Sequence, residues 1–411
     1  MSYSADLERF GDPLPENVER PGPEARSPTS RLLSGFVVGL LALTRIPIAS
    51  AHSVTATGGV SREYGLLVIL LGAVWLGGAV VLKRTDRISP TVALYGVFIG
   101  IGLAAFGAVL FDGLSPDPTY SASSFPFPRS WYPPLAVSMG VLISILSVII
   151  GWRRWPTRPR YTFLGILMGL WVSYPYLVPG PASDTHPLGY AIVLSTPLLV
   201  RYVLWTDAGD TVRAVMRDPV ARRFGIGFGI VLALFFLTIT GYLSFFPEEG
   251  TPHQVTIIVL PVIYQLVTWP TLEIVLPHVP FFVAVSPGQL VVVGTLSALI
   301  GLNAATIARH WRLEERAGLT QGTAGSAAIV GACTCGCCGP LVAKIAVLAA
   351  GPSIAAPLYW LFVDSASPLS ALFVAGSILL FTGTLLYSIE SARQPGALQS
   401  MGTADETSRS P

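Results

Sequence analysis

Four cysteines lie close together in the stretch Gly331-Ala-Cys-Thr-Cys-Gly-Cys-Cys-Gly-Pro340, and the chain has no others. They are Cys333, Cys335, Cys337 and Cys338. Thiolates bind soft ions such as Cu(I), and they also bind zinc. The surrounding apolar run, from about 327 to 350, is long enough to cross a bilayer. The cluster therefore predicts a soft-metal site, with Cu(I) as the first candidate ion, inside a membrane-spanning segment.

The spacing of these cysteines relates them to one lysine. On a helix with 100° per residue, Cys333 and Cys337 share a face, and Lys344 falls on that same face. Two sulfurs suit near-linear binding of a soft ion, while glycine and proline in the stretch would let it unwind and gather three or four sulfurs. A nearby cation favours the thiolate over the thiol. Lys344 is therefore predicted to support the cysteines.

Two other roles for the cysteines stay open. Cys333–Cys335 or Cys335–Cys337 could cycle between dithiol and disulfide, which would make the protein a membrane thiol–disulfide oxidoreductase. The cysteines could also pack as small apolar side chains in a non-catalytic membrane subunit. The sequence has neither a Walker loop nor a plausible dinucleotide fingerprint, which argues against an ATPase domain within this chain. A role other than that of an enzyme is favoured, and the thiol–disulfide alternative stays open.

The end of the cluster resembles a known family. The run Cys337-Cys338-Gly339-Pro340-Leu341-Val342 is similar to the first helix of the mercuric transport membrane proteins of bacterial mercury resistance, which carries a Cys-Cys pair just ahead of Gly-Pro-Leu-Val. The likeness covers some fifteen residues; this chain lacks the usual one-residue spacer before Gly-Pro and adds Cys333 and Cys335. The resemblance implies passage of a thiophilic ion through the helix, exchanged with a soluble metal donor or acceptor.

The composition assigns the chain to the membrane. Of 411 residues, 52% are hydrophobic and 12% are charged, whereas soluble domains carry about 25% charge. The main partner is therefore the lipid bilayer. The net charge of +2 gives no sign of nucleic-acid binding, and nothing indicates an oligomeric state. Polar, proline-rich composition predicts a disordered segment over 1–31 and a disordered tail over 389–411, with a transmembrane domain over 32–388 between them.

Hydropathy predicts an all-α bundle of about ten membrane-spanning helices. The apolar runs cover approximately 32–51, 64–82, 91–111, 134–151, 161–178, 189–205, 224–246, 288–307, 327–350 and 368–387. The first run also has the features of a signal peptide, with Ala49-Ser50-Ala51 as its cleavage site. Cleavage there would leave His52 at the N-terminus, where its amine and imidazole could chelate copper.

Arginine and lysine in the short loops predict the orientation. They concentrate in alternate loops, which places both termini in the cytoplasm and the protein in the cell membrane. The basic residues of these loops are Lys83, Arg84, Arg87, Arg153, Arg154, Arg158, Arg160, Arg213, Arg217, Arg222, Arg223, Arg309, Arg312 and Arg316.

The segment 255–285 interrupts this alternation. It carries Pro261 and Pro270 near its middle and has to return to the side from which it starts. We predict a re-entrant hairpin or two short helices buried against the bundle; two ordinary helices with a kink are the alternative. Glu273 in this segment would need a partner at membrane depth, and Lys344 is a candidate.

The remaining polar residues allow two interpretations. Seven histidine and carboxylate residues are predicted to lie at the outer face: His52, His186, His253, His278, Asp184, Glu248 and Glu249. They could form a metal-collecting vestibule, or they could be ordinary surface residues. Asn303 and Gln289 are predicted to bridge helices.

Overall fold

The computed structural model describes residues 62–115, 128–178, 183–244, 255–276, 281–317, 343–347, 355–362 and 367–393. The helices in these ranges are α1 Arg62–Arg84, α2 Pro90–Leu114, α3 Tyr132–Arg154, α4 Pro159–Leu177, α5 Pro187–Arg217, α6 Pro219–Ile239, α7 Pro287–Ala317, α8 Ala355–Phe362 and α9 Pro368–Arg393. The strands are β1 Leu243–Ser244, β2 Thr256–Tyr264, β3 Val267–Val275 and β4 Phe282–Val285.

Seven of the described helices are long and apolar enough to cross a membrane: α1, α2, α3, α5, α6, α7 and α9. The chain is therefore a multi-pass integral membrane protein, as its composition predicts. The predicted number of ten spans is not confirmed, because the run at 32–51 and most of the run at 327–350 lie outside the described residues.

Helix boundaries follow local chemistry. Proline occupies the first turn of several helices, where its missing N–H costs nothing, and side chains cap the turn that follows. Ser89 accepts a hydrogen bond from the Val92 N–H, and Asp218 accepts from Val220 and Ala221. The helix α5 continues to Arg217, well past the predicted end of its apolar run at Trp205.

Sequential helices pack as antiparallel pairs through small residues. In the α1–α2 pair, a Cβ built on Gly72 would lie 2.5 Å from the Ala104 backbone nitrogen. In the α6–α7 pair, a Cβ on Gly225 would lie 2.6 Å from the Gly301 carbonyl oxygen. Glycine therefore allows backbone-to-backbone approach, which is how helices associate where lipid removes the hydrophobic driving force.

One face of the helix α4 packs into the protein core. Its range matches the predicted run at 161–178, yet α4 is not among the seven apolar candidates for membrane spans. Trp171 and Met168 are fully buried, and Tyr174 is 1% exposed. Neighbouring helices surround this face of α4, whereas Phe163 and Leu177 on its other faces are 61% and 50% exposed.

Contacts bring the basic ends of several helices together. Lys83 at the end of α1 lies over the Trp311 ring of α7, 4.7 Å from its centroid. Arg312 of α7 forms an ion pair with Asp218, the cap of α6. These loops therefore share one end of the bundle, called here the basic end, as the alternation of charged loops requires. Which side of the membrane it faces stays a prediction.

The structure does not confirm a re-entrant hairpin or two short helices in the segment 255–285. Its described part forms β2, β3 and β4, which join β1 in an antiparallel sheet of order β1-β4-β3-β2. The all-α prediction therefore holds for the bundle and fails for this segment. The physical reason is composition: β-branched and aromatic residues dominate β2 and β3, and they favour extended backbone. Gln265, with φ of 58°, lies in the turn between them.

The two faces of the sheet differ. Trp269 and Thr271 point toward the bundle and are 6% and 0% exposed. The opposite face consists of aliphatic residues and prolines with one threonine: Ile257, Val259, Pro261, Ile263, Thr268, Pro270, Leu272, Ile274, Val283 and Val285. Ile257, Val259 and Ile263 are each more than 60% exposed. This face, called here the aliphatic face, has no charged side chain among its described residues.

Trp269 fixes the sheet on the bundle. Its ring packs edge-on against Tyr190, 5.0 Å between centroids, and the Tyr190 hydroxyl donates to the Thr268 carbonyl. A Cβ on Gly288 would lie 2.2 Å from Trp269 Nε1, so the first turn of α7 must carry glycine there. The sheet therefore packs on the start of α5 and α7, at the opposite end from the basic end.

Candidate functional site

The predicted thiol site lies outside the described residues. This applies to Cys333, Cys335, Cys337 and Cys338, and also to His52. The nearest described residues on the C-terminal side form a helical turn at 343–347, and Ala343 in that turn is fully buried. The residues that this turn contacts are the described part of the candidate site.

An ion pair connects the turn to the bundle. Lys344 Nζ lies 2.9 Å from Asp112 Oδ1, and the two side chains are 13% and 20% exposed. Lys344 also donates to the Asp112 backbone carbonyl at 3.4 Å. The contact with Oδ1 is an ion pair rather than a well-directed hydrogen bond, because Oδ1 lacks a hydrogen bond of good geometry.

The position of Asp112 explains why the lysine suits this place. Asp112 lies in the last turn of α2, where backbone carbonyls are left without intrahelical donors. A cation near a helix C-terminus is stabilised by the helix dipole as well as by the carboxylate. Lys344 therefore holds a compensated charge in a mostly buried position.

Glu273 is not the partner of Lys344. It lies in the middle of β3, opposite Ile258 of β2 and Ala284 of β4, and it is half-buried. The prediction of a Lys344–Glu273 pair assumed a helical hairpin at membrane depth. The segment folds as a sheet instead, and Lys344 pairs with Asp112 of α2.

Residues of the predicted outer vestibule have structural roles where they are described. His186 caps α5, its Nδ1 accepting from the Leu188 N–H at 3.2 Å. Asp184 accepts from the Thr268 hydroxyl at 2.8 Å, which ties the sheet to the start of α5. His253, His278, Glu248 and Glu249 lie outside the described ranges. Within those ranges, histidine, cysteine and carboxylate side chains form no group of three that could hold a metal ion.

The two polar residues predicted to bridge helices behave differently. Asn303 Nδ2 donates to the Phe381 carbonyl at 3.1 Å, and its Oδ1 accepts from Thr384, so it bridges α7 and α9 as predicted. Gln289 is 1% exposed, and neither atom of its amide has a hydrogen-bond partner. A buried amide of this kind is costly unless ordered water or a ligand satisfies it.

A second buried ion pair was missed by sequence reasoning. Arg160 at the start of α4 donates to both carboxylate oxygens of Asp207 in α5, and Arg158 Nε lies 3.9 Å from Asp207 Oδ1. The Asp207 side chain is 8% exposed. The forked geometry favours arginine over lysine here. The signal was present: Asp207 lies two residues beyond Trp205, where the apolar run of α5 ends, and four arginines lie between the runs at 134–151 and 161–178.

Comparison with known proteins adds no relative. No family model matches the chain, and no curated protein or solved structure matches it either.

Proposed function

We propose that this integral membrane protein carries a soft metal ion, with Cu(I) as the first candidate, through the thiols of Cys333, Cys335, Cys337 and Cys338. The ion is the cargo, received from or passed to a soluble metal donor or acceptor. Four thiols in six residues offer the ligand type that Cu(I) prefers. The motif shared with mercuric transport membrane proteins supports the same class of ion.

The observation that supports this proposal most is the Lys344–Asp112 pair. Lys344 follows Cys338 by six residues and lies 2.9 Å from a carboxylate of α2. The chain just beyond the thiols is therefore attached to the bundle, at the end of α2. Asp112 already compensates the charge of Lys344. In this proposal the lysine therefore anchors the thiol segment and does not act as an uncompensated cation beside the thiols.

Metal content tests the proposal directly. Wild type and the variant with all four cysteines changed to serine are purified anaerobically, loaded with Cu(I), and analysed by elemental mass spectrometry. We expect about one soft ion per chain in wild type and none in the variant. Equal thermal stability of the two proteins shows that the loss is not a loss of fold.

Two double variants sharpen the test. Cys333→Ser with Cys337→Ser removes the pair that shares a helix face, whereas Cys335→Ser with Cys338→Ser removes an equal number of thiols from other faces. We expect the first variant to lose more metal than the second. Metal absent from loaded wild type would overturn the proposal, and trapping of the thiols as mixed disulfides with a partner would favour the thiol–disulfide oxidoreductase instead.

A further inference from the structure

A cleft opens between α3, α4 and α9 near the basic end of the bundle. Its volume is about 660 Å³, within the range of about 300–1,000 Å³ typical of ligand sites. Leu146 and Ile150 of α3 line it and are 45% and 48% exposed, and Tyr387 of α9 is 70% exposed. Because α3 and α9 are membrane-spanning helices, these residues open the cleft toward the lipid.

The cleft has an apolar interior and a polar mouth. The interior is lined by aliphatic side chains, among them Ile143, Leu164, Leu379 and Leu386. The mouth holds Arg154 and the aromatic residues Trp155, Tyr161 and Tyr387. Tyrosine and tryptophan favour the level of the lipid headgroups, where an apolar ring and a polar tip are both solvated. This arrangement matches a molecule with an apolar chain and a polar head.

The charge at the mouth selects the kind of head. Arg154 ends α3 and is exposed, with its guanidinium 5.6 Å from the centroid of the Trp155 ring. The described residues that line the cleft include no carboxylate. Asp207 of the adjoining helix α5 is already bound by Arg160. A phosphate at the mouth would therefore meet a positive charge, and arginine is well suited to bind it.

We propose that this cleft binds one anionic phospholipid from the leaflet at the basic end, with an acyl chain along α3, α4 and α9 and the phosphate at Arg154. The lipid joins α9 to the consecutive pair α3 and α4, which is distant from it in sequence. This site is separate from the thiol segment, and it does not depend on the proposed metal cargo.

A glycine in the wall allows the cleft to be filled. Gly383 lines it, and a Cβ built there meets nothing within 4 Å, so Gly383→Leu places a side chain in the cleft without a backbone clash. Gly376, two turns earlier on the same helix, also has open space around its Cβ and does not line the cleft. Gly376→Leu is therefore the matched control, with the same gain in helix propensity.

Native mass spectrometry of the full chain in mild detergent measures the binding, with phosphatidylglycerol as the anionic probe and phosphatidylcholine as the zwitterionic one. We expect wild type and Gly376→Leu to retain one phosphatidylglycerol. Gly383→Leu should weaken its binding roughly tenfold or more, since it displaces about two methylenes from the cleft.

Two arginine variants test whether the positive charge at the mouth of the cleft binds the phosphate. Arg154→Gln should weaken phosphatidylglycerol binding about fivefold, as expected for one basic residue near the surface, and leave phosphatidylcholine unaffected. Arg153→Gln removes a charge that is next in sequence but does not line the cleft, and should change little. Equal lipid retention by Gly383→Leu and Gly376→Leu, or equal effects of the two arginine variants, would overturn the proposal, as would the absence of bound lipid from wild type.

Discussion

Removing the charge of Lys344 should destabilise the bundle by an amount that its burial determines. Fully exposed ion pairs contribute about 0–1 kcal/mol, and breaking a buried pair costs about 3–5 kcal/mol. The side chains of Lys344 and Asp112 are 13% and 20% exposed, so their pair belongs between these limits. We expect Lys344→Met to lower the free energy of unfolding by about 2–3 kcal/mol, because it leaves a mostly buried carboxylate without its cation.

A double-mutant cycle isolates the pair itself. Asp112→Asn, Lys344→Met and the double variant are unfolded at equilibrium in mixed micelles with rising SDS, followed by tryptophan fluorescence. The double variant should lose about 1–2 kcal/mol less free energy of unfolding than the two single variants lose together, because it leaves neither charge without its partner. Lys83→Met is the matched control: Lys83 lies over the Trp311 ring, and losing that contact costs about 0.5–1 kcal/mol.

Two results would refute this reasoning. One is a coupling energy below about 0.5 kcal/mol, which would class the contact with exposed pairs. The other is a loss in free energy of unfolding that is no larger for Lys344→Met than for Lys83→Met. Either result would also remove the main support for a thiol segment attached to α2, whatever its metal content.

Three further outcomes follow from the described contacts. Asp207→Asn should lower the free energy of unfolding by about 3 kcal/mol, because it leaves Arg160 without its carboxylate. The control is Asp210→Asn, which should leave the thermal midpoint unchanged because the Asp210 side chain is 83% exposed. Gln289→Leu should be neutral or stabilising by about 1 kcal/mol, since it removes two buried unpaired groups; a clear loss of stability would mean that the amide has a partner. Pro261→Val should increase dimer formation in size-exclusion chromatography with light scattering, because it restores an N–H donor to the free edge of β2; an unchanged monomer fraction would count against that account.

Long apolar runs were enough to predict the helices. The runs at 64–82, 91–111 and 134–151 each fall within an observed helix, because the need to satisfy backbone groups in lipid leaves the helix as the only local solution. Helix ends beyond the membrane were harder. The helix α5 extends to Arg217 because polar residues such as Asp207 and Asp210 end the apolar run without ending the helix.

The partners of charged residues could not be predicted from the sequence. Lys344 and Asp112 are 232 positions apart, and nothing local to either residue names the other. A buried charge requires some partner, which is why a carboxylate was expected for Lys344. Glu273 was the candidate because 255–285 was expected to lie at membrane depth as a helical hairpin, so the error in that secondary structure carried over to the pair.

Pro261 and Pro270 are the residues that made this segment resemble broken helices, and the strand register explains them differently. They lie directly opposite each other in the β2–β3 ladder. Neither has an N–H to exchange, so the pair must be one of the non-hydrogen-bonded positions of an antiparallel ladder. The residues Ile257, Val259 and Ile263 occupy positions of the same kind as Pro261. Their backbone N–H and C=O groups therefore point away from β3, along the free edge of β2. Proline in the middle of this row removes a donor where another strand would otherwise add to the sheet. A proline pair spaced nine residues apart, in a run of alternating β-branched residues, is therefore as consistent with a protected edge hairpin as with a kinked helix, and the abundance of valine, isoleucine and threonine favours the hairpin.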